Sequence, residues 1–217
     1  SDIVMPYILN WGTEEQKQKY IPKLISGEMV GAIAMTEPGA GSDAAALKTR
    51  AVRDGDDYIV SGVKQFISGA GTSDLYVTMV RTGAEGAGGI STLVIDKDTP
   101  GLSFGAEEKK MGWNAQPTRQ VIFEDARVPV ANRLGEEGAG FRIAMAGLDG
   151  GRLNIGACSL GGAQAALDRT LDYVRARHAF GRAVAQFQTV QFTIADMATE
   201  LEAARTFLWR AAAALDA

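Results

Sequence analysis

Two periodicities divide the chain. Between Val30 and Glu124 the apolar positions fall into short β-type runs: Val30–Thr36, Leu47–Arg53, Tyr58–Ser61, Leu75–Arg81, Ile90–Asp96 and Gln120–Glu124. Each is bounded by Gly, Asp, Pro or Asn. Several short strands with no long helix between them predict an antiparallel barrel or sandwich rather than a parallel sheet. Arg53-Asp54-Gly55-Asp56-Asp57 predicts a hairpin turn, and Gly83 to Gly89 a flexible surface loop. The flanks are helical. Thr13-Glu14-Glu15-Gln16 has the pattern of a capping box, ahead of helix formers from Glu14 to Leu24 and a stop at Gly27; Pro22 disturbs the last turn. After Gly140 an Ala- and Leu-rich helix is predicted from Phe141 to about Arg177, and a second from Phe187. In the second, Val190, Ile194, Met197, Leu201, Ala204, Leu208 and Ala211 alternate steps of four and three, the seam of an antiparallel bundle. The connection from Phe180 to Gln186 is short enough to make the two helices neighbours. The chain starts without Met and stops inside a strong helical pattern whose seam points at helices it does not contain, which suggests a fragment.

Composition narrows the class. At 217 residues, 46% hydrophobic and 22% charged, the chain can bury a real core. A net charge of −4 argues against a nucleic-acid surface, and no apolar run is long enough to span a bilayer. Ser1-Asp2 opens into a mixed segment without the apolar stretch of a secretory signal. Cys158 is the single cysteine and His178 the single histidine, so neither a disulfide framework nor a Cys/His metal site is expected. Cys158, among Ala, Ser and Leu, reads as a small buried hydrophobe, and His178 as a surface or capping residue.

Four segments carry candidate chemistry. Ala34-Met35-Thr36-Glu37-Pro38-Gly39-Ala40-Gly41-Ser42-Asp43 is a Gly-rich turn directly after an apolar run. Gly39 and Gly41 let the backbone approach a flat or phosphorylated ligand and can adopt φ > 0, and Thr36 and Ser42 place hydroxyls at its two ends. The spacing Gly39-Ala40-Gly41-Ser42-Asp43-Ala44 imitates a dinucleotide fingerprint, but no crossover helix follows; a plain structural turn is the competing reading. Phe66-Ile67-Ser68-Gly69-Ala70-Gly71 is a second such bend, in which Phe66 is either core or a stacking surface. Gly150-Gly151 sits mid-helix, each glycine unfavourable by about 1 kcal/mol relative to Ala, which fits either a close helix or a ligand, with Arg152 available for a charge-assisted bond. Arg175 to Gly181 ends a helix with cations, favourable for the helix dipole whether or not Arg177 also meets a phosphate.

Together, Met35–Asp43, Phe66–Gly69, Lys110–Thr118 (Lys-Met-Gly-Trp-Asn-Ala-Gln-Pro-Thr), Asp149–Arg152 and Arg177–Gly181 resemble the acyl-CoA dehydrogenase family in order and separation; Gln188–Met197 continues the match. Gly112–Thr118 and Val128–Arg133 look most like the branch of valine catabolism that acts on isobutyryl-CoA. The resemblance implies an α+β protein: the end of an N-terminal helical domain (1–31), a middle antiparallel β-barrel domain (32–136) and the first part of a C-terminal four-helix bundle (137–217), with FAD between barrel and bundle. It implies that Ile33, Ala34, Met35, Thr36, Glu37, Pro38, Gly39, Ala40, Gly41 and Ser42 line the flavin, with Thr36 bonding the isoalloxazine and Ser42 near the CoA part of the substrate. Phe66, Ile67 and Ser68 would cover the flavin's other side, and Asp149, Gly150, Gly151 and Arg152 would contact acyl-CoA. Arg177, Phe187 and Gln188 would bind the FAD of a neighbouring subunit of a homodimer or homotetramer.

In this chemistry a desolvated Glu removes the α-proton of the thioester while a hydride leaves the β-carbon. The family's usual position for that Glu lies beyond residue 217, and Gly151 stands at the position a minority branch uses, so no catalytic base is expected in this sequence. The implied activity is formation of a 2,3-enoyl-CoA with electrons passed to an electron-transfer flavoprotein, in the cytoplasm of a bacterium or the mitochondrial matrix of a eukaryote. An acyl-CoA oxidase and a non-catalytic fragment of the same fold are the alternatives.

Overall fold

The computed structural model describes residues 3–216; Ser1, Asp2 and Ala217, on which the readings of the chain ends fall, lie outside the described residues. The chain forms two compact units, Ser1–Gly147 and Leu148–Ala217. No described helix is long and apolar enough to cross a membrane.

The first unit opens with helix α1 (Met5–Trp11), which carries Pro6 in its first turn and is too short for its periodicity to register in the sequence. Helix α2 (Glu14–Ser26) has the expected capping box: Gln16 N donates to Thr13 Oγ1 at 3.3 Å and Thr13 N to Gln16 Oε1 at 2.8 Å. Pro22 does not end it; Tyr20 and Leu24 are buried on either side, and tertiary packing outweighs one missing hydrogen bond. Gly27, at φ +79°, ends it. The buried Gln16 also donates from Nε2 to the carbonyls of Ala131 (2.7 Å) and Arg133 (3.0 Å), tying the helix start to the end of the sheet.

The strands are β1 (Gly31–Ala34), β2 (Arg50–Asp54), β3 (Asp57–Ser68), β4 (Leu75–Arg81), β5 (Ile90–Asp96), β6 (Leu102–Phe104), β7 (Thr118–Pro129) and β8 (Arg133–Leu134). They pair in the order β6-β7-β3-β2-β4-β5-β8, with β1 also beside β4. Most pairings are antiparallel as expected, but β1–β4 and the single bridge Arg50↔Arg81 are parallel. A parallel pair needs a crossover, usually a helix. Here the hairpin of β2 and β3 provides it, so the lack of an intervening helix did not forbid parallel pairing. β4 is covered on both faces: Leu75, Val77 and Met79 join a core with α1 and α2, while Tyr76 and Val80 join one with Tyr58, Val60, Val121 and Phe123. β6 and β8 are too short for alternation to reveal them.

β3 and β7 run well past their predicted ends because one irregularity in each strand hides the alternation. The register first shifts between Val60 and Gly62, where Glu124 and Asp125 of β7 together face Ser61; Gly62 itself has φ +148°, and a Cβ there would lie 2.6 Å from Thr49 Oγ1. It shifts again between Lys64 and Ile67, where Gln65 and Phe66 together face Gln120. Between the two shifts Lys64 points inward and is fully buried. Its Nζ lies 2.7 Å from Glu37 Oε1 and donates to the Met35 carbonyl at 3.1 Å. The other acceptors of Glu37 are used too: Oε2 takes Lys48 N at 2.6 Å and Oε1 takes Thr49 N at 3.0 Å. Burial pushes the Lys64 ammonium down to about 8. Burial pushes the Glu37 carboxyl up, but the Lys64 charge and the hydrogen bonds it accepts outweigh that and leave it below its ordinary value.

In the second unit, helix α3 (Gly140–Ala176, here from Leu148) and helix α4 (Gln188–Leu215) are neighbours, as their short connection predicts. Arg205 Nη2 donates to Gln164 Oε1 at 2.7 Å, and the bare Gly156 leaves room for Leu208. Val190, Ile194, Leu201, Leu208 and Ala211 are half-buried as the seam requires, but Met197 and Ala204 are exposed, since one partner helix covers only one stripe. Cys158 is exposed rather than buried, lying off the stripe that α4 covers. Between the helices β9 (His178–Ala179) and β10 (Arg182–Ala183) form a hairpin whose turn, Phe180-Gly181, has φ of +52° and +77°, the signs a type I′ turn needs.

Lys64→Met is expected to destabilise the protein by about 3–5 kcal/mol, because it strands a buried carboxylate. Adding Glu37→Gln should recover part of that loss, so a urea double-mutant cycle that came out additive would contradict the coupling. Because Glu37 titrates below its ordinary value of 4.5 in the fold, its stabilisation is complete above that pH and disappears as pH falls through the folded value. Urea midpoints between pH 7 and pH 3 should therefore drop more steeply for the native protein than for Glu37→Gln.

Candidate functional site

The Gly-rich turn begins where β1 leaves the sheet. Ala34 is fully buried, and Ile33, Met35 and Thr36 are half-buried. Glu37 and Ala40 then close a tight turn, with Glu37 N donating to Ala40 O at 3.0 Å and Ala40 N to Glu37 O at 3.1 Å. Ala40 is buried, Pro38 and Gly39 stand exposed at the tip, and Gly41 and Ser42 are exposed beyond it. Neither Gly39 nor Gly41 has a positive φ, contrary to one reason given for glycine there. The other reason stands: a Cβ at either position would meet nothing within 4 Å among the described residues, so both leave open backbone. Among the turn's acidic and hydroxyl groups, the Glu37 carboxylate faces inward to Lys64, while Ser42 stays exposed.

The second bend lies against the first. Gln65 N donates to Thr36 O at 2.7 Å. The extra residue in β3 turns Phe66 away from the core: it sits at φ +57° with 60% of its surface exposed, while its neighbour Ile67 is buried. A bulky residue at positive φ is strained, and a bulge that aims it at solvent is a recurrent feature of sites. Ser68 is exposed beside it. Gly69, at φ +83°, donates its N–H to Pro117 O at 2.8 Å. That bond brings in the third motif, Lys110–Thr118. Lys110 Nζ donates to the carbonyls of Trp113 (2.8 Å) and Gln116 and to Thr118 Oγ1 (3.0 Å), fixing a loop that holds Trp113 at φ +56° with its ring out. Beneath it Gln120 Nε2 donates to Gln65 Oε1 (2.9 Å), and Gln65 Nε2 to Glu108 Oε1 (3.2 Å). Tyr76 accepts Gly71 N at 2.9 Å from below; burial pushes its hydroxyl up to about 12. Three motifs distant in sequence thus meet on one surface of the first unit, with backbone, hydroxyl and aromatic groups facing outward and Glu37 paired to Lys64 beneath them.

In the second unit Asp149 and Arg152 form an exposed ion pair at 2.7 Å on α3. Gly150 and Gly151 have no atom of the described residues within 4 Å of a built Cβ, so no helix of this chain accounts for them. Arg177 and Gln188 are exposed at the α3–α4 connection, and Phe187 is half-buried under Arg182, whose guanidinium lies 4.1 Å from its ring centre, and edge-on to Phe180 at 6.2 Å. His178 is exposed, with Nδ1 3.1 Å from the Ala176 carbonyl, as a surface residue would be.

Sequence reading missed Lys64 and Lys110. A signal for Lys64 existed: Tyr58, Val60, Gly62 and Lys64 share one parity along β3, so the cation falls on the inward face. Nothing comparable marks Lys110, whose three acceptors come from the irregular loop it organises.

Family models match three segments: acyl-CoA dehydrogenase N-terminal domain over residues 1–28, middle domain over 32–126 and C-terminal domain over 138–217. The mitochondrial isobutyryl-CoA dehydrogenase of Dictyostelium discoideum is 58% identical over 95% of this chain and 50% of its own length, and that of Bos taurus 54% over 94% and 49%. The crystal structure of an acyl-CoA dehydrogenase from Geobacillus kaustophilus superposes with a TM-score of 0.93 at 49% identity, covering 96% of this chain and 56% of that one. The chain therefore spans about half the length of the curated relatives it matches. Acyl-CoA dehydrogenases are FAD-dependent flavoprotein oxidoreductases. By sequence, by fold and by the order of its motifs, the chain belongs to the acyl-CoA dehydrogenase family.

Proposed function

We propose that this chain supplies flavin and acyl-thioester binding surface for the α,β-dehydrogenation of a short branched acyl-CoA, of which isobutyryl-CoA is the best fit. The observation that carries the reading is Phe66, a solvent-facing aromatic held at φ +57° beside an open glycine turn. Strain of that kind persists where a ligand uses it. The surrounding residues fit FAD: the isoalloxazine is planar and rich in hydrogen-bond acceptors, and the paired bends offer an aromatic face, exposed backbone and the Thr36 and Ser68 hydroxyls. When bound, FAD supplies the hydride acceptor. Thr36 and the backbone of Ile33–Ser42 orient the ring, Phe66 and Ser68 cover its other side, and Glu37 acts from beneath by fixing the turn. Ser42 faces the CoA end of the substrate, and Asp149–Arg152 contact the acyl-CoA. In a homodimer or homotetramer, Arg177, Phe187 and Gln188 bind the FAD of a neighbouring subunit.

The carboxylates near these residues are unsuited to proton abstraction. Glu37 is committed to Lys64 and held in its charged form, and Asp149 is paired with Arg152 in solvent, whereas a general base here needs a desolvated carboxyl raised toward neutrality. We infer that the base comes from outside these 217 residues. Electrons then pass to an electron-transfer flavoprotein.

Reconstitution with FAD followed by anaerobic isobutyryl-CoA tests the reading in a protein that contains this chain and a base. Flavin bleaching that persists until an electron-transfer flavoprotein is added supports it, and rapid reoxidation by oxygen points instead to an oxidase. Phe66→Ala should weaken FAD binding roughly twofold to tenfold without lowering the melting temperature. Ser42→Ala should raise KM more than it lowers kcat, and Arg177→Ala should lose flavin on gel filtration; unchanged flavin in both Phe66→Ala and Arg177→Ala would refute the binding roles.

A further inference from the structure

Arg81, the last residue of β4, joins two segments that no hydrogen-bond ladder connects. Its Nε donates to Leu47 O at 2.9 Å and its Nη2 to Ala45 O at 2.7 Å, both in the stretch that continues directly from Ser42. Its Nη1 donates to Gly86 O at 3.1 Å and to Ala84 O, both in the Gly83–Gly89 loop. Between the two segments runs an open groove of about 710 Å³, whose lining includes Asp43, Lys48, Arg50 and Glu85.

The sheet does not need this side chain. β4 and β5 pair along their whole length through the backbone, and Arg81 is only half-buried. The loop does need it. Four glycines in seven residues give Gly83–Gly89 a large conformational entropy, and the planar five-donor fork of arginine can fix several carbonyls at once where a lysine cannot. The loop expected to be flexible is accordingly held at both ends. Thr82 N and Gly83 N donate to Gly89 O at 2.9 and 3.1 Å, and Gly89 is packed so closely against Ala84 O and Arg81 Nη1 that a Cβ there would overlap both.

We propose that Arg81 is a positioning residue for the substrate. It sets the spacing of the two groove walls and so pre-orders the surface that receives the phosphate-bearing end of the acyl-CoA, leaving the acyl group and the flavin to other residues. Lys48 and Arg50, exposed on one wall, give that end cationic company. The inference rests on the reading of Ser42 as facing CoA. Ordering a wall in advance removes an entropic penalty from binding, so its loss should appear in affinity alone.

The test is calorimetry on FAD-loaded protein with isobutyryl-CoA and with isobutyryl-pantetheine, which lacks the 3′-phosphoadenosine diphosphate. Arg81→Met should raise the Kd for the CoA ester roughly tenfold while leaving the pantetheine ester and the flavin content unchanged. Gly89→Ala, which displaces the same wall without removing the guanidinium, should give the same selective loss and carries the test if Arg81→Met does not fold. Equal weakening of both esters, or an unchanged Kd for the CoA ester in either folded variant, overturns the role of Arg81. A native protein that binds both esters equally overturns the reading of Ser42, and the inference with it.

Discussion

A single buried ion pair fixes the geometry on which the proposed binding surface depends. Lys64 lies on β3 and Glu37 in the turn that follows β1, 2.7 Å apart and both buried. A pair of this kind is weak support for stability in itself, because desolvation offsets much of the attraction. Its force here is specificity. Each oxygen of Glu37 also accepts a backbone N–H from Lys48 or Thr49, and Lys64 donates to the carbonyl of Met35. The turn after β1, the bulged strand β3 and the segment that leads into β2 are therefore locked to one another by charge-assisted bonds with no slack in their register. Shift β3 by one residue and the ammonium faces solvent while the carboxylate is stranded. The same register decides that Phe66 points out and Ile67 in.

Much of this architecture is legible in the sequence, for reasons that also explain the gaps. β4 and β5 appear at their predicted limits because their apolar runs are unbroken and end at turn residues. The capping box of α2 is local chemistry and needs no tertiary information. β3 and β7 are longer than predicted because the polar or bare residues Ser61, Gly62 and Gln65 and the bulges at Glu124-Asp125 and Gln65-Phe66 break the apolar alternation, and the second bulge is what turns Phe66 outward. Parallel pairing at β4 was not legible, since it depends on a crossover made by a hairpin rather than a helix. Among the proposed site residues the motif segments were found, but their division of labour was not. Glu37 and Ser42 look alike as polar members of one turn, yet one is buried against a lysine and the other is open. Only the partner, 27 residues away, separates them.

Glycine carries three different meanings along the chain, and composition alone cannot sort them. Gly69 and Gly181 are needed for positive φ, Gly62 for the close approach of Thr49, and Gly39, Gly41, Gly150 and Gly151 for neither. The last four face open space among the described residues. For Gly150 and Gly151, which lie within α3, that arrangement is unfavourable by about 1 kcal/mol each relative to Ala. Open backbone at these positions is the feature on which their proposed contact with a ligand rests.

The aromatic residues at positive φ argue in the same direction. Four described residues other than glycine adopt it, and three of them, Phe66, Trp113 and Phe180, are exposed aromatics. Each conformation is unfavourable by roughly 1–3 kcal/mol. Each is imposed by a separate device: the bulge in β3, the three bonds of Lys110 and the turn of the β9–β10 hairpin. Independent devices producing one outcome are hard to attribute to folding. An aromatic ring turned outward gives up burial worth about 1.5–3 kcal/mol in addition to the strain. That the chain accepts both penalties three times, each time inside a motif with exposed backbone or cations beside it, is the pattern on which the proposed binding of a flat, anionic ligand rests.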